Sequence, residues 1–326
     1  MAVRNIEREI EELVSLRNAP AGEERERKLQ KALKDKVNLI AAKAAALTAE
    51  FELRELVPDL CVAFERMMRD PVKTDPQCWG KNAIAQALKD LGHNEADVFL
   101  KGAQHVQYEP VWAGEEDSAA NLRATCSIAL LACADLTRED KLWHMVPLLT
   151  ERSASLRKDA ANALEALGGR EAALLLRMKA RMGDEDPTVT GQVFESLLRV
   201  ERETAVRFVT EFLRSMNPEV RDEAALALGA SRLTAAIAAL KAACEDTHLH
   251  LNSEIAFRAL SISRHEHAIE YLLDKVRHGR VRDAQDALDA LMLHRDSTDI
   301  RKKIAEAAEH RMEPEIRRVF ETLTQC

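Results

Sequence analysis

The sequence is poor in aromatic residues, which make up 4% of its 326 positions as eight Phe, three Trp and two Tyr. Glycine and proline are also scarce, at 11 and 9 residues. Strands draw on aromatic and β-branched residues and need Gly-rich turns, so these shortages exclude a mainly sheet-built fold. No apolar run reaches 18 residues, which excludes a membrane-spanning helix. The opening segment MAVRNIEREIEELVSL carries a charge every few residues, so it reads as neither signal peptide nor anchor.

Cysteine pairs at metal or redox spacing are missing too. Cys61, Cys78, Cys126, Cys133, Cys244 and Cys326 are scattered without a CxxC, several among Ala and Leu as small core residues, and a reducing cytoplasm is the expected compartment. Positive charge is in deficit, with 47 Lys and Arg against 55 Asp and Glu and a net charge of -8. Residues 37–118 alone hold 8 basic against 14 acidic side chains. A protein gripping phosphates should lean the other way, so nucleic acid is not the expected partner. The HExxH, GxSxG, Walker and GxGxxG signatures are absent. Asp184, Asp186, Thr188, Thr190 and Glu195 imitate a calcium loop, but Val189 stands where that loop needs Gly, and Pro187 reads as a helix start.

What the chain has is a repeat. Aligning residues 121–131, 155–167, 188–198, 219–228, 250–260 and 280–291 brings Leu130, Leu164, Leu197, Leu228, Leu260 and Leu288 into register, at spacings of 34, 33, 31, 32 and 28. Each of these segments is followed by a polar turn and a second apolar stripe, as in Leu233, Ala236, Ile237 and Leu240, or Ile269, Leu272, Leu273 and Val276. The i, i+3, i+4, i+7 spacing predicts helices. A hairpin of two such helices cannot enclose a core, so neighbouring hairpins must stack. Ala160, Ala163, Ala224 and Ala227 should let them approach closely. Upstream, residues 80–92 match 157–168, and a 14-residue insertion at 105–118 predicts a surface loop.

The units NPEVRDEAALALGASRLTAAIAAL at 217–240 and DPTVTGQVFESLL at 186–198 resemble HEAT repeats, of the short bacterial kind found in phycobilin-lyase-like proteins. The Asp/Asn-Pro start, Val220-Arg221 and the Ala-Leu-Gly ending at Gly229 carry the resemblance. It implies an all-α fold, a right-handed α-solenoid of HEAT-like hairpins, with about seven or eight helical pairs. The expected organisation is an N-terminal helical cap at 1–36, first units with an aromatic and acidic loop at 37–118, and a regular array at 119–326.

Three constellations qualify as sites. Arg138, Arg170, Arg202, Arg232, Arg264 and Arg295 recur in the turn between the helices of successive pairs, at spacings of 32, 32, 30, 32 and 31. They read either as helix-end cations on last-turn carbonyls or as a guanidinium row for carboxylates or phosphates. In the 105–118 loop, Tyr108 and Trp112 read as interface anchors or as a cover folded over their own hairpin. The histidines His248, His250, His265, His267, His278, His294 and His310 invite a metal reading, but the intervening helix holds the first two groups about 20 Å apart. A second arginine row, Arg123, Arg157, Arg221 and Arg282 near Asp159, Asp222 and Asp283, looks structural by resemblance, bridging adjacent repeats through Asp–Arg contacts.

The resulting expectation is a non-catalytic scaffold or adaptor that binds a protein partner, with no cofactor and no membrane. The alternative is an enzyme or lyase subunit using the groove. The deoxyhypusine hydroxylases resemble this chain in being HEAT-like arrays, but they bind di-iron through four His-Glu pairs, and here only His265-Glu266 exists.

Overall fold

The computed structural model describes residues 5–112, 114–309, 311–314, 316 and 317. Contacts divide the chain into two compact units, Met1–Ala163 and Leu164–Cys326. The first contains α1 (Ile6–Val14), α2 (Glu23–Leu33), α3 (Asn38–Glu50), α4 (Val57–Met68), the single turn α5 (Pro71–Thr74), α6 (Trp79–Asp90), α7 (Ala96–Ala103), β1 (Tyr108–Val111), β2 (Gly114–Asp117), α8 (Ala120–Ala129) and α9 (Arg138–Leu148). The helix α10 (Ala154–Leu167) crosses into the second unit. There follow α11 (Gly169–Met182), α12 (Pro187–Glu201), α13 (Glu203–Thr210), α14 (Pro218–Ser231), α15 (Thr234–Glu245), α16 (Ser253–Ile262), α17 (Glu266–His278), α18 (Val281–Leu291) and α19 (Thr298–Ala308). Among the described residues, and leaving aside the single turn α5, the helices beyond α2 follow one another as eight successive pairs.

Local chemistry sets the boundaries. Asp186 and Asn217 cap α12 and α14 by accepting the backbone N–H of Thr188 and Glu219, and a proline follows each cap. Thr137 and Asp140 form a reciprocal capping box at the start of α9. Within the first unit α3, α6 and α8 lie side by side, and within the second α12, α14, α16 and α18 do the same. The second helices α13, α15, α17 and α19 form the other layer of that unit. All six anchor leucines are at 0% exposure. Ala160, Ala163, Ala224 and Ala227 are buried, as close stacking requires. At the N-terminus, α1 and α2 cover α3, with Leu29 and Leu33 in the core and Arg17 paired to Glu50 at 2.7 Å.

The insertion departs from the expected loop. Tyr108–Val111 and Gly114–Asp117 pair as antiparallel strands, with Tyr108 opposite Asp117 and Val111 opposite Gly114. Val106, Tyr108, Val111 and Trp112 are strand-forming residues in a helix-poor stretch, and Gly114 supplies a φ of +134° at the start of the return strand. No described helix is long and apolar enough to cross a membrane.

Candidate functional site

The hairpin stands on a buried polar floor. Asp75 and Lys81 are both fully buried, with Lys81 Nζ 3.1 Å from Asp75 Oδ2. Asp75 also accepts the backbone N–H groups of Gly80 and Lys81 at 2.7 and 2.8 Å and the amide of Asn38 at 2.8 Å. It thereby satisfies donors that α6 leaves open at its first turn. The chain reaches this position through left-handed Gln77 and Cys78, at φ 61° and 52°. Strained backbone of that kind persists only where its surroundings enforce it.

Gln107 is the hub of the floor. Its Oε1 accepts from Lys81 Nζ at 2.9 Å and from the Cys78 thiol at 3.2 Å, while its Nε2 donates to the Asp75 carbonyl at 3.0 Å and to Glu109 at 2.7 Å. Glu109 points inward from β1 and accepts from Ser118 Oγ at 2.6 Å and from the Gln77 N–H at 2.7 Å. Burial pushes the Glu109 carboxyl up, yet the donors from Ser118, Gln107 and Gln77 outweigh it and hold the group below the usual carboxylate range. Asp117 behaves alike: burial opposes its charge, but the N–H groups of Gln107 and Ala119 and the Arg123 guanidinium keep it depressed. Arg123 bridges Asp117 at 2.7 Å and Glu151 at 2.8 Å.

Two carboxylates with depressed pKa stabilise the fold above their unfolded pKa of about 4, and that stabilisation is lost as pH falls through the lower folded values. His105, whose pKa burial lowers, adds a loss that begins below its unfolded value of about 6.5. The urea midpoint of the first unit is therefore expected to fall from pH 7 to pH 4 and more steeply below. Tryptophan fluorescence reads this unit alone, since Trp79, Trp112 and Trp143 all lie in it. A midpoint flat from pH 7 to pH 3 contradicts the network.

Beside the hairpin lies a cavity of about 560 Å³, walled by Trp79 and Tyr108 and floored by Asn82, Ser118, Asn121 and the Arg123–Glu151 pair. Its ionisable groups are largely bound to one another. The Cys78 thiol is pushed up by burial, which keeps it protonated and a poor nucleophile. Outward, the hairpin presents Tyr108 at 61% and Trp112 at 104% exposure. Of the two readings of these aromatics, the geometry matches the exposed one.

The turn arginines fall into different settings, although all six are exposed. Arg138 opens α9 in the first unit, and Arg170 is the second residue of α11. Arg202 and Arg232 cap the ends of α12 and α14, and Arg264 follows the cap of α16, all at positive φ of 55°, 56° and 53°, whereas Arg295 is right-handed at φ -52°. Their backbone N–H groups, not their guanidinium groups, close the helices: Arg202 donates to the Leu198 carbonyl at 3.0 Å, Arg232 to Gly229 at 3.2 Å and Arg264 to Ser261 at 3.0 Å.

In the second arginine row, Arg123, Arg157 and Arg221 reach carbonyls of the preceding connection, and Arg123 also pairs with Asp117 and Glu151. Arg157, 5% exposed, donates to the Glu151 and Arg152 carbonyls at 2.7 and 2.8 Å, Arg221 to Ser215 at 2.8 Å and Arg123 to His105 at 3.0 Å. These contacts satisfy carbonyls that the ends of the preceding helices leave open.

The histidines have local roles. His265 caps α17, accepting the His267 N–H at Nδ1, and His294 Nε2 lies 3.0 Å from the Ser261 carbonyl. His310 lies outside the described residues. Among the described residues no group of three or more His, Cys, Asp or Glu could hold a metal ion.

Sequence reasoning missed Trp79, Gln107 and the Asp75–Lys81 pair. A signal was present in Lys81, which follows Gly80 at the head of the matched segment 80–92, inside a helix otherwise patterned like its neighbours.

Comparison with known proteins agrees with the architecture. The family model described as HEAT repeats matches residues 175–261 and 206–292. No curated protein matches the sequence. Among solved structures, the chain is similar to human deoxyhypusine hydroxylase in complex with glycerol, at 21% identity and a TM-score of 0.31, over 81% of this chain and 92% of that one. It is also similar to an engineered protein, at 16% identity and a TM-score of 0.37, over 97% and 98% of the two chains. Scores this low carry no argument about function. The family match falls on the same hairpins whose anchor leucines are buried and whose prolines open the helices, and the chain is a HEAT-repeat protein.

Proposed function

We propose that this protein is a non-catalytic scaffold that binds a protein partner through the hairpin of its first unit. One observation carries the reading: Trp112 is fully exposed at the tip of a hairpin whose base is locked by buried polar contacts. An exposed tryptophan on a rigid support loses little conformational entropy on binding and buries a large area, which is how interface anchors act. Tyr108, Val111 and Trp79 extend the apolar surface beside it. The mutual pairing of Arg123, Asp117 and Glu151 supports a binding role over a catalytic one, because it ties these charged groups of the cavity to one another.

A Tyr108→Ala, Trp112→Ala double variant is expected to unfold at the urea midpoint of the parent, since both side chains are exposed, and to lose a partner that the parent captures from cytoplasmic extract. Equal capture by both proteins overturns the hairpin as the site. Capture by neither, with a chromophore or metal carried by the purified protein, overturns the scaffold reading.

A further inference from the structure

The second unit carries a feature that the hairpin does not use. Arg202, Arg232 and Arg264 each lie at positive φ in the turn between the two helices of three successive hairpins. Left-handed backbone is disfavoured for a residue with a Cβ and costs glycine nothing. The chain uses glycine at the equivalent junction one pair earlier, where Gly168 has a φ of 62° between α10 and α11. Arginine at the next three junctions is thus kept against the backbone preference. What it offers in return must lie in the side chain or in its charge at a helix C-terminus.

The side chains are exposed, and the guanidinium groups of these three make no hydrogen bond or ion pair among the described residues. Other arginines of this unit do find carboxylates: Arg177 pairs with Glu201, Arg181 with Glu211 at 2.5 Å and Arg199 with Glu165 at 3.1 Å. Because α12, α14 and α16 pack side by side and run the same way, their C-terminal ends share one edge. Neighbouring packed helices lie about 8–10 Å apart, so three cations repeat along that edge at about this interval.

We propose that this edge is a binding site for an acidic segment of a partner protein, whose carboxylates each meet one guanidinium in a bidentate pair. The spacing suits an extended peptide with a carboxylate about every third residue, at about 3.3 Å per residue. A dense polyanion fits less well. Glu203 adjoins Arg202, Glu266 lies two residues from Arg264, and the whole chain carries a net charge of -8, which opposes a phosphate on every nucleotide more strongly than one carboxylate in three residues.

The test exploits the backbone, because glycine removes the guanidinium while relieving the left-handed strain. The triple variant Arg202→Gly, Arg232→Gly, Arg264→Gly is compared with the full parent chain for binding a fluorescein-labelled nonapeptide with glutamate at every third position. A glutamine analogue and a single-stranded DNA oligonucleotide serve as controls. The parent is expected to bind the glutamate peptide at least tenfold more tightly than the glutamine analogue, with affinity falling as salt rises. The triple variant is expected to lose that tenfold while its melting temperature holds or rises. Equal affinity of parent and variant, or no preference for glutamate over glutamine, overturns the proposal. So does tighter, arginine-dependent binding of the oligonucleotide. The Tyr108 and Trp112 variant should bind this peptide like the parent, which separates failure here from failure of the hairpin reading.

Discussion

Lys81→Met is expected to cost the first unit about 3–5 kcal/mol of unfolding free energy, because removing one member of a buried ion pair strands the other without its counter-charge. Lys81 and Asp75 are both at 0% exposure, so water cannot replace the lost cation. Gln107 would lose its donor at 2.9 Å as well, and Gln107 is what ties β1 to the head of α6. Adding Asp75→Asn to that variant should recover part of the loss, since the stranded negative charge disappears while the amide oxygen still accepts from the Gly80 N–H. Urea titration followed by tryptophan fluorescence measures both. A single-variant loss under about 1 kcal/mol, the scale of an exposed pair, contradicts a closed network.

Gly229→Ala is expected to destabilise the second unit by about 3 kcal/mol, the upper end for overpacking a well-filled interior. A Cβ at this position falls 2.1 Å from the Ala259 carbonyl oxygen and 2.6 Å from its carbon. Those atoms are backbone of α16, so relief requires that α14 and α16 move apart along their whole contact. Gly191→Ala provides the comparison. The atoms nearest its Cβ belong to the Glu223 side chain, the first being a carboxylate oxygen at 1.9 Å. A flexible carboxylate can swing aside, and a cost nearer 1 kcal/mol follows. Thermal unfolding followed by far-ultraviolet circular dichroism ranks the two, and equal losses contradict the close approach at Gly229.

Much of the array was readable in advance. Leucines repeating at 28 to 34 residues became the fully buried centre of each hairpin, because a 3.6-residue periodicity can bury only one face. The Asp-Pro and Asn-Pro starts were visible because capping is decided by residues within one turn of the cap. The arginine row was visible as a spacing, but its left-handed backbone was not. An arginine in a turn carries no local mark of φ, unlike Gly168.

The candidate site was legible only in part. Tyr108 and Trp112 stood out as aromatics without a helical face, and both are exposed. The hairpin itself was missed, since a four-residue strand containing Pro110 has too short a pattern to register. Asp75, Lys81 and Gln107 looked like ordinary polar residues, spread over 32 positions.

By itself the sequence determined what depends on neighbours a few residues away: helices, their caps, the apolar face of each and the requirement that hairpins stack. Tertiary structure alone decided which polar side chains would be withdrawn from water together. Burial of Lys81 is tolerable only because Asp75 and Gln107 arrive from other segments with compensating charge and hydrogen bonds, and that pairing depends on distances in space that sequence separation does not encode.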